Sequence, residues 1–123
     1  MRITTQAKNL DLTDDIRSYI SKITSSIEKM VDENDETIIC DIEVGRETGQ
    51  HTGKVFYAEA NLMLPKRDLL RSTATEETLT AALDKVKEEI LQELRKDKTR
   101  RLSFSRRQAA RVKEVLKSIY GRF

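Results

Sequence analysis

Two stretches in the middle of the chain place an apolar residue at every second position. Within residues 37–44, Ile38, Cys40, Ile42 and Val44 fall on one side, and Asp41 and Glu43 on the other. Within residues 54–64, Phe56, Ala58, Ala60, Leu62 and Leu64 alternate with Tyr57, Glu59, Asn61 and Met63. A period of two is the signature of a half-buried strand, because successive side chains point to opposite faces. One dry and one wet face predict a mainly antiparallel sheet covered on one side. Residues 46–53, with Gly49 and Gly53, connect the two strands as a hairpin.

The flanking segments switch period. Ile3, Thr5 and Ala7 predict a short first strand over residues 2–7. Ile16, Tyr19, Ile20, Ile23, Ile27 and Met30 then recur at helical spacing. Thr13 is placed to cap that helix, and Asp14 and Asp15 complement the positive end of its dipole. The acidic run 32–36 ends it. Pro65-Lys66-Arg67-Asp68 turns the chain into a fourth strand over 69–74. A second helix follows over about 76–98, with Leu79, Ala82, Leu83, Val86, Ile90 and Leu94 as its apolar stripe. The order β-α-β-β-β-α is an α+β sandwich, a four-stranded sheet with two helices on one face. The first β-α-β step crosses over right-handedly if its strands are parallel neighbours. After a hinge at 99–101, a basic helix is expected over 106–120, capped by Ser105 and stopped by Gly121. The domains expected are therefore 1–98 and a C-terminal extension, 99–123.

Size and composition bound the rest. The 123 residues suffice for one ordinary domain. Leu, Ile, Val and Phe make up about a quarter of them, above the roughly 20% below which chains stay disordered. No apolar run approaches the ~18 residues of a membrane span, and the start of the chain lacks a signal peptide's apolar stretch. The single Cys40 excludes an intramolecular disulfide and suits a reducing compartment, so a cytoplasmic location is expected. One histidine and one cysteine also exclude the usual structural zinc site.

The net charge of +2 hides a strong asymmetry. Residues 1–94 hold 12 Lys/Arg against 19 Asp/Glu, whereas residues 95–123 hold 11 against two. An acidic body with a basic end points to a polyanionic partner. Three basic sets stand out. On the first helix, Ser18, Lys22, Ser25 and Lys29 recur at helical spacing, and no acid falls between Asp15 and Glu28. On the second, Lys85 and Lys96 are three turns apart, as are Lys87 and Lys98, although Glu88, Glu89 and Glu93 dilute them. The third and strongest comprises Arg95, Lys96, Lys98, Arg100 and Arg101 with Arg106, Arg107 and Arg111 of the basic helix. Ammonium, guanidinium and hydroxyl groups all donate to phosphate oxygens. Phe104, Tyr120 and Phe123 are candidates for base stacking, too few for a broad platform. A basic amphipathic helix can instead lie on an anionic membrane, but its stripe (Ala109, Val112, Leu116, Ile119) is thin and the chain has no Trp.

Catalysis finds no support in the sequence. There is no nucleophile elbow, phosphate-binding glycine loop or zinc-protease helix motif. His51 is the only imidazole and sits in a polar loop, and Cys40 lies on the apolar side of a strand, where a thiol is inert packing. The acidic clusters lack the spacing of a calcium loop. A binding protein is expected, with no enzyme activity, metal or other cofactor.

Several stretches, in this order, resemble the ribosome hibernation-promoting factors, also called ribosome-associated inhibitors or subunit-interface proteins. They are Met1-Arg2-Ile3, Leu12-Thr13-Asp14-Asp15-Ile16-Arg17, Ala81-Ala82-Leu83-Asp84 and Glu93-Leu94-Arg95-Lys96-Asp97-Lys98. The last resembles the family's Q-L-R-K-x-K ending, and Leu70-Arg71-Ser72 sits where the family often has a basic strand residue. The resemblance covers about residues 1–98. It implies a domain similar to double-stranded-RNA-binding domains. It also implies binding to the small ribosomal subunit in the channel used by mRNA and tRNA, silencing idle ribosomes without chemistry.

Carried over by position, the implied rRNA contacts are Lys22, Lys29, Lys85, Arg95, Lys96 and Lys98, with Arg71 a lesser candidate. Lys87 joins them from the basic face of the second helix. The chain departs from the family's mid-helix D-K-L-E-R-Q pattern by carrying Glu89 and Gln92. Arg100, Arg101, Arg106, Arg107 and Arg111 are expected to compensate on rRNA. The expected protein is a short form, monomeric when free, with no small-molecule substrate and no membrane partner. The competing reading is a general nucleic-acid-binding or transcription-modulating module.

Overall fold

A computed structural model describes residues 1–48 and 53–120 of the chain, and of residues 101–105 and 118–120 only the backbone. The elements run β1 (Arg2–Lys8), α1 (Asp14–Glu28), β2 (Ile39–Arg46), β3 (Phe56–Met63), β4 (Leu70–Glu76) and α2 (Leu79–Tyr120). Compact units comprise residues 1–93 and 94–123, so the division falls inside α2.

The four strands form one sheet in the order β1-β2-β3-β4. β1 runs parallel to β2, and the β2-β3 and β3-β4 pairs are antiparallel. The register lines up rows of small and aliphatic residues across the sheet. Thr5, Ile42, Ala60 and Ser72 form one row, and Ala7, Val44, Ala58 and Ala74 the next. On this face Cys40, Ile42, Val44, Ala58, Ala60 and Leu62 are fully buried. Ile20, Ile23 and Ile27 of α1, with Ala82, Leu83, Val86 and Ile90 of α2, supply the rest of the core. Both helices therefore cover one face, and the opposite face carries the polar row Gln6, Glu43, Glu59, Thr73.

Local chemistry explains where the elements begin. Thr13 has an extended backbone, and its Oγ1 accepts from the Ile16 amide at 3.3 Å. Thr78 plays the same part for α2, accepting from the Ala81 amide at 3.2 Å. Asn9, between β1 and α1, has φ 55, a left-handed conformation that Asn tolerates better than most residues. Gly45 answers a packing demand rather than a turn. A Cβ there would lie 2.5 Å from the Tyr57 ring, which covers it from the neighbouring strand. The hairpin is closed by the Glu47 amide donating to the Val55 carbonyl at 2.7 Å. Its tip, including Gly49 and His51, lies outside the described residues.

Apart from shifts of about two residues at the ends of α1, β2 and β3, the structure differs from the sequence reading at two places. β4 extends to Glu76, so α2 begins at Leu79 rather than near residue 76. The basic segment is helical as expected, yet it continues α2 instead of forming a separate helix. There is no break at 99–101, and Ser105 is an interior helical residue, not a cap. The physical reason is the absence of any Gly or Pro between Leu79 and Tyr120. The Thr99 hydroxyl donates to the Arg95 carbonyl at 2.9 Å, so it is paired within the helix. The expected stop at Gly121 lies outside the described residues.

Truncating Ile27, which is 0% exposed, removes a side chain at the centre of the α1-sheet contact. Ile27→Ala should cost about 2–5 kcal/mol. Thr13→Ala should cost about 1 kcal/mol, the value of an N-cap. Urea unfolding of the two variants should show that ranking.

Candidate nucleic-acid interface

The N-terminal turn of α1 carries Asp14 and Asp15, and from there to Glu28 its outer surface has no carboxylate. Ser18, Lys22, Ser25 and Lys29 are all exposed and follow one another by four, three and four residues. That spacing puts them on one stripe. Among the described residues, neither Lys22 nor Lys29 has an ion-pair partner. Lys29 is the C-cap residue of α1, its amide donating to the Ser25 carbonyl at 3.2 Å. Its ammonium therefore also complements the negative end of the helix dipole. Sequence reasoning passed over Arg17, which is exposed and lines a shallow recess with Ile3, Thr5, Ile20, Ser21 and Thr24. The available signal was its four-residue spacing to Ser21.

On the first part of α2 the structure brings fewer cations forward. Lys85 is held by Glu76 at 3.5 Å. Lys87 lies 3.8 Å from Glu88, and its side chain is only 28% exposed. Glu89, where the family pattern has a base, turns back onto the sheet, and the buried Ser72 hydroxyl donates to its carboxylate. It thus ties α2 to β4. Tyr19 donates to Asp84 at 2.5 Å, which links α1 to α2 and raises the phenol's pKa.

Arg71 stands apart from these helices. It projects from the open face of the sheet, where its guanidinium meets Glu59 at 2.8 Å. Lys8 and Glu43 pair on the same face at 3.4 Å, and Thr4 donates to Asp41. The structure therefore does not bring Arg71 together with Lys22 and Lys29, because helices and open face lie on opposite sides of the sheet.

The second unit has its own geometry. Lys96, Arg100, Arg107 and Arg111 are spaced by four, seven and four residues and form one stripe of the helix. At 1.5 Å per residue this stripe runs about 22 Å. Arg95, Arg106, Lys113 and Lys117 form a second stripe beside it. The first lies opposite Ala109, Val112 and Leu116, and the second borders them. Among the described residues, Arg95, Lys98, Arg100, Arg106, Arg107 and Arg111 have no ion-pair partner. The side chains of Arg101, Phe104 and Tyr120, and the whole of Phe123, lie outside the described residues.

No group of three or more His, Cys, Asp or Glu able to hold a metal occurs among the described residues. No helix among them is long and apolar enough to cross a membrane. Burial pushes the Cys40 thiol up to about 12, with Asp41 and Glu28 adding to the shift, so it stays protonated and unreactive at neutral pH.

The described residues form an α+β sandwich with cations set out along its helices. The family described as Sigma 54 modulation protein / S30EA ribosomal protein matches residues 3–102, and the chain belongs to it. This bears out the resemblance carried by residues 1–98. Among solved structures, the chain is similar to the N-terminal domain of Protein Y from Thermus thermophilus. The two share 24% identity with a TM-score of 0.62, covering 78% of this chain and 98% of that one. It is also similar to a ribosomal subunit interface protein from Coxiella burnetii. That pair shows 18% identity and a TM-score of 0.61, over 80% of this chain and 99% of that one. No curated protein matches the chain.

The buried thiol gives a test of the fold around the sheet. The folded chain holds the Cys40 proton more tightly than the unfolded one, with a value of about 12 against 9.0. Its contribution to stability is therefore complete below pH 9.0 and lost as pH rises toward about 12. Alkaline unfolding curves should fall through that window, and Cys40→Ala should make the fall shallower. At neutral pH a thiol-alkylating reagent should label Cys40 only after denaturation.

Proposed function

We propose that the chain binds the small ribosomal subunit through its rRNA, in the channel used by mRNA and tRNA, and so silences idle ribosomes in the cytoplasm. The observation that carries this reading is the set of exposed cations on the helices, of which Lys22, Lys29, Arg95, Lys98, Arg100, Arg106, Arg107 and Arg111 have no ion-pair partner among the described residues, in a chain whose family includes S30EA ribosomal proteins. Lys22 and Lys29 on α1 and Lys85 and Lys87 on the first unit's α2 contact phosphates. Arg95, Lys96, Lys98, Arg100, Arg101, Arg106, Arg107 and Arg111 extend the contact along the second unit. Arg71, committed to Glu59, is the weakest member. The protein acts by occupying a site, and no step of bond making is assigned to it. Phosphate contacts fix position and carry little sequence information, which suits a partner recognised by its shape.

A second reading is a general nucleic-acid-binding or transcription-modulating module, favoured by the family description that includes Sigma 54 modulation. Selective retention on small subunits over naked DNA and random RNA separates the two.

Co-sedimentation with isolated small subunits, with and without mRNA and tRNA as competitor, tests the main reading. Stoichiometric binding that the competitor abolishes is expected, and no binding at low salt would overturn it. With about five phosphates engaged, the slope of log K against log salt should be roughly −3.5 to −4.5. Deleting residues 100–123 should weaken binding and flatten that slope, whereas an unchanged slope would remove the extension from the interface. The Lys22→Glu, Lys29→Glu double variant should weaken binding by about tenfold or more, the reach of two lost charge-assisted contacts.

A further inference from the structure

A groove of about 280 Å³ opens where α1 and α2 begin, lined by Leu10, Ile16, Tyr19, Phe56, Leu79 and Leu83, with Asp15 and Thr80 at its edge. It lies below the roughly 300–1,000 Å³ of small-molecule sites and is lined almost wholly by apolar groups. Its surroundings are acidic. Arg46 lies over the Phe56 ring at 5.9 Å, and Lys54 and Lys85 are both held by Glu76. Among the described residues, the lining residue Asp15 and Asp11, Asp14 and Glu77, within two positions of lining residues in sequence, have no ion-pair partner.

The same chain carries the complement. Val112 is 57% exposed and Leu116 48%, large apolar side chains turned to solvent. With Ala109 they follow the i, i+3, i+7 spacing by which an amphipathic helix enters an apolar groove. Arg106, Lys113 and Lys117 border this stripe, opposite in sign to the groove's unpaired carboxylates.

We propose that the helix segment 106–117 of one copy docks in the groove at the start of α1 and α2 of a second copy, so that the protein self-associates. Ala109, Val112 and Leu116 fill the apolar floor, and Arg106, Lys113 and Lys117 meet the acidic rim. Both surfaces are present at equal concentration by construction, and the charges that steer them together weaken the pairing as salt rises. The pairing departs from the monomer expected from the sequence and does not depend on ribosome binding.

Sedimentation equilibrium of the full chain over a wide concentration range tests it. The wild type should shift from monomer to dimer, at lower concentration in low salt than in high salt. Leu116→Asp spoils the helix stripe, and Thr80→Arg blocks the groove with an exposed residue. Each alone should raise the dimer dissociation constant by about tenfold or more, as for a central apolar anchor, with unchanged circular dichroism. Mixing the two variants should restore association, since one supplies an intact groove and the other an intact helix. Three results would overturn the proposal: a wild type monomeric at every concentration, variants that pair like the wild type, or a mixture that stays monomeric. A monomer that floats with anionic vesicles would assign the stripe to a lipid surface and overturn it as well.

Discussion

The register of β2 against β3 decides how every other surface of the first unit is used. With Ile42 opposite Ala60 and Val44 opposite Ala58, both strands send their apolar residues to the same side. A slip of one residue would exchange Cys40, Ile42 and Val44 for Asp41 and Glu43 beneath the helices. The cost of burying those carboxylates fixes the pairing more firmly than any single favourable contact. Once the dry face is set, both helices must lie on it, and their outer surfaces become the ones available to a partner. The β1-β2 pair follows from the same arrangement. A strand joined to its neighbour through a covering helix enters the sheet parallel, as β1 does.

The two sides of the sheet consequently differ in charge chemistry. On the open face Lys8 and Arg71 are engaged by Glu43 and Glu59, so that surface is locally satisfied despite its polar composition. Exposed pairs of this kind add little stability. They nevertheless withdraw those cations from any distant polyanion. On α1 the reverse holds, since Lys22 and Lys29 have hydroxyls rather than carboxylates beside them. An acidic body and unpaired cations can therefore coexist in one chain, because acids and bases are sorted by face and by segment.

Much of this was legible in the sequence, and the failures have physical causes. The period-two stretches around Ile42 and Ala60 and the cap at Thr13 identified the sheet and α1, because each signal is local. The continuation of α2 through residues 99–105 was not legible from the Thr, Ser and Arg content, which reads as a loop. It follows from what is missing, a helix breaker. Arg71 was carried over from the family resemblance as a strand residue, and a match by position does not show that Glu59 engages its guanidinium on the open face. Glu89 read as a lost base, whereas its partner Ser72 lies on a different element, 17 residues away. The pairing of Lys85 with Glu76 was hidden for the same reason. The strongest cations of the candidate interface were plain from charge alone.

The second unit's helix raises the question of whether one segment can serve two partners. Its cations fall on two stripes. Arg106, Lys113 and Lys117 border Val112 and Leu116, while Lys96, Arg100, Arg107 and Arg111 lie farther round. A helix seated in a second copy's groove would spend the bordering stripe on the acidic rim and leave the farther one exposed. Polyanion binding and pairing then draw on largely different charges, and the helix need not release one partner to take the other. Where the stripes share a charge the two equilibria are linked, and each partner must weaken the other by the same factor. Where they do not, a pair presents two copies of the farther stripe at once. Two linked binding elements raise the effective concentration of the second contact without any new interaction. The division of cations into two stripes is thus what decides whether self-association opposes polyanion binding or reinforces it.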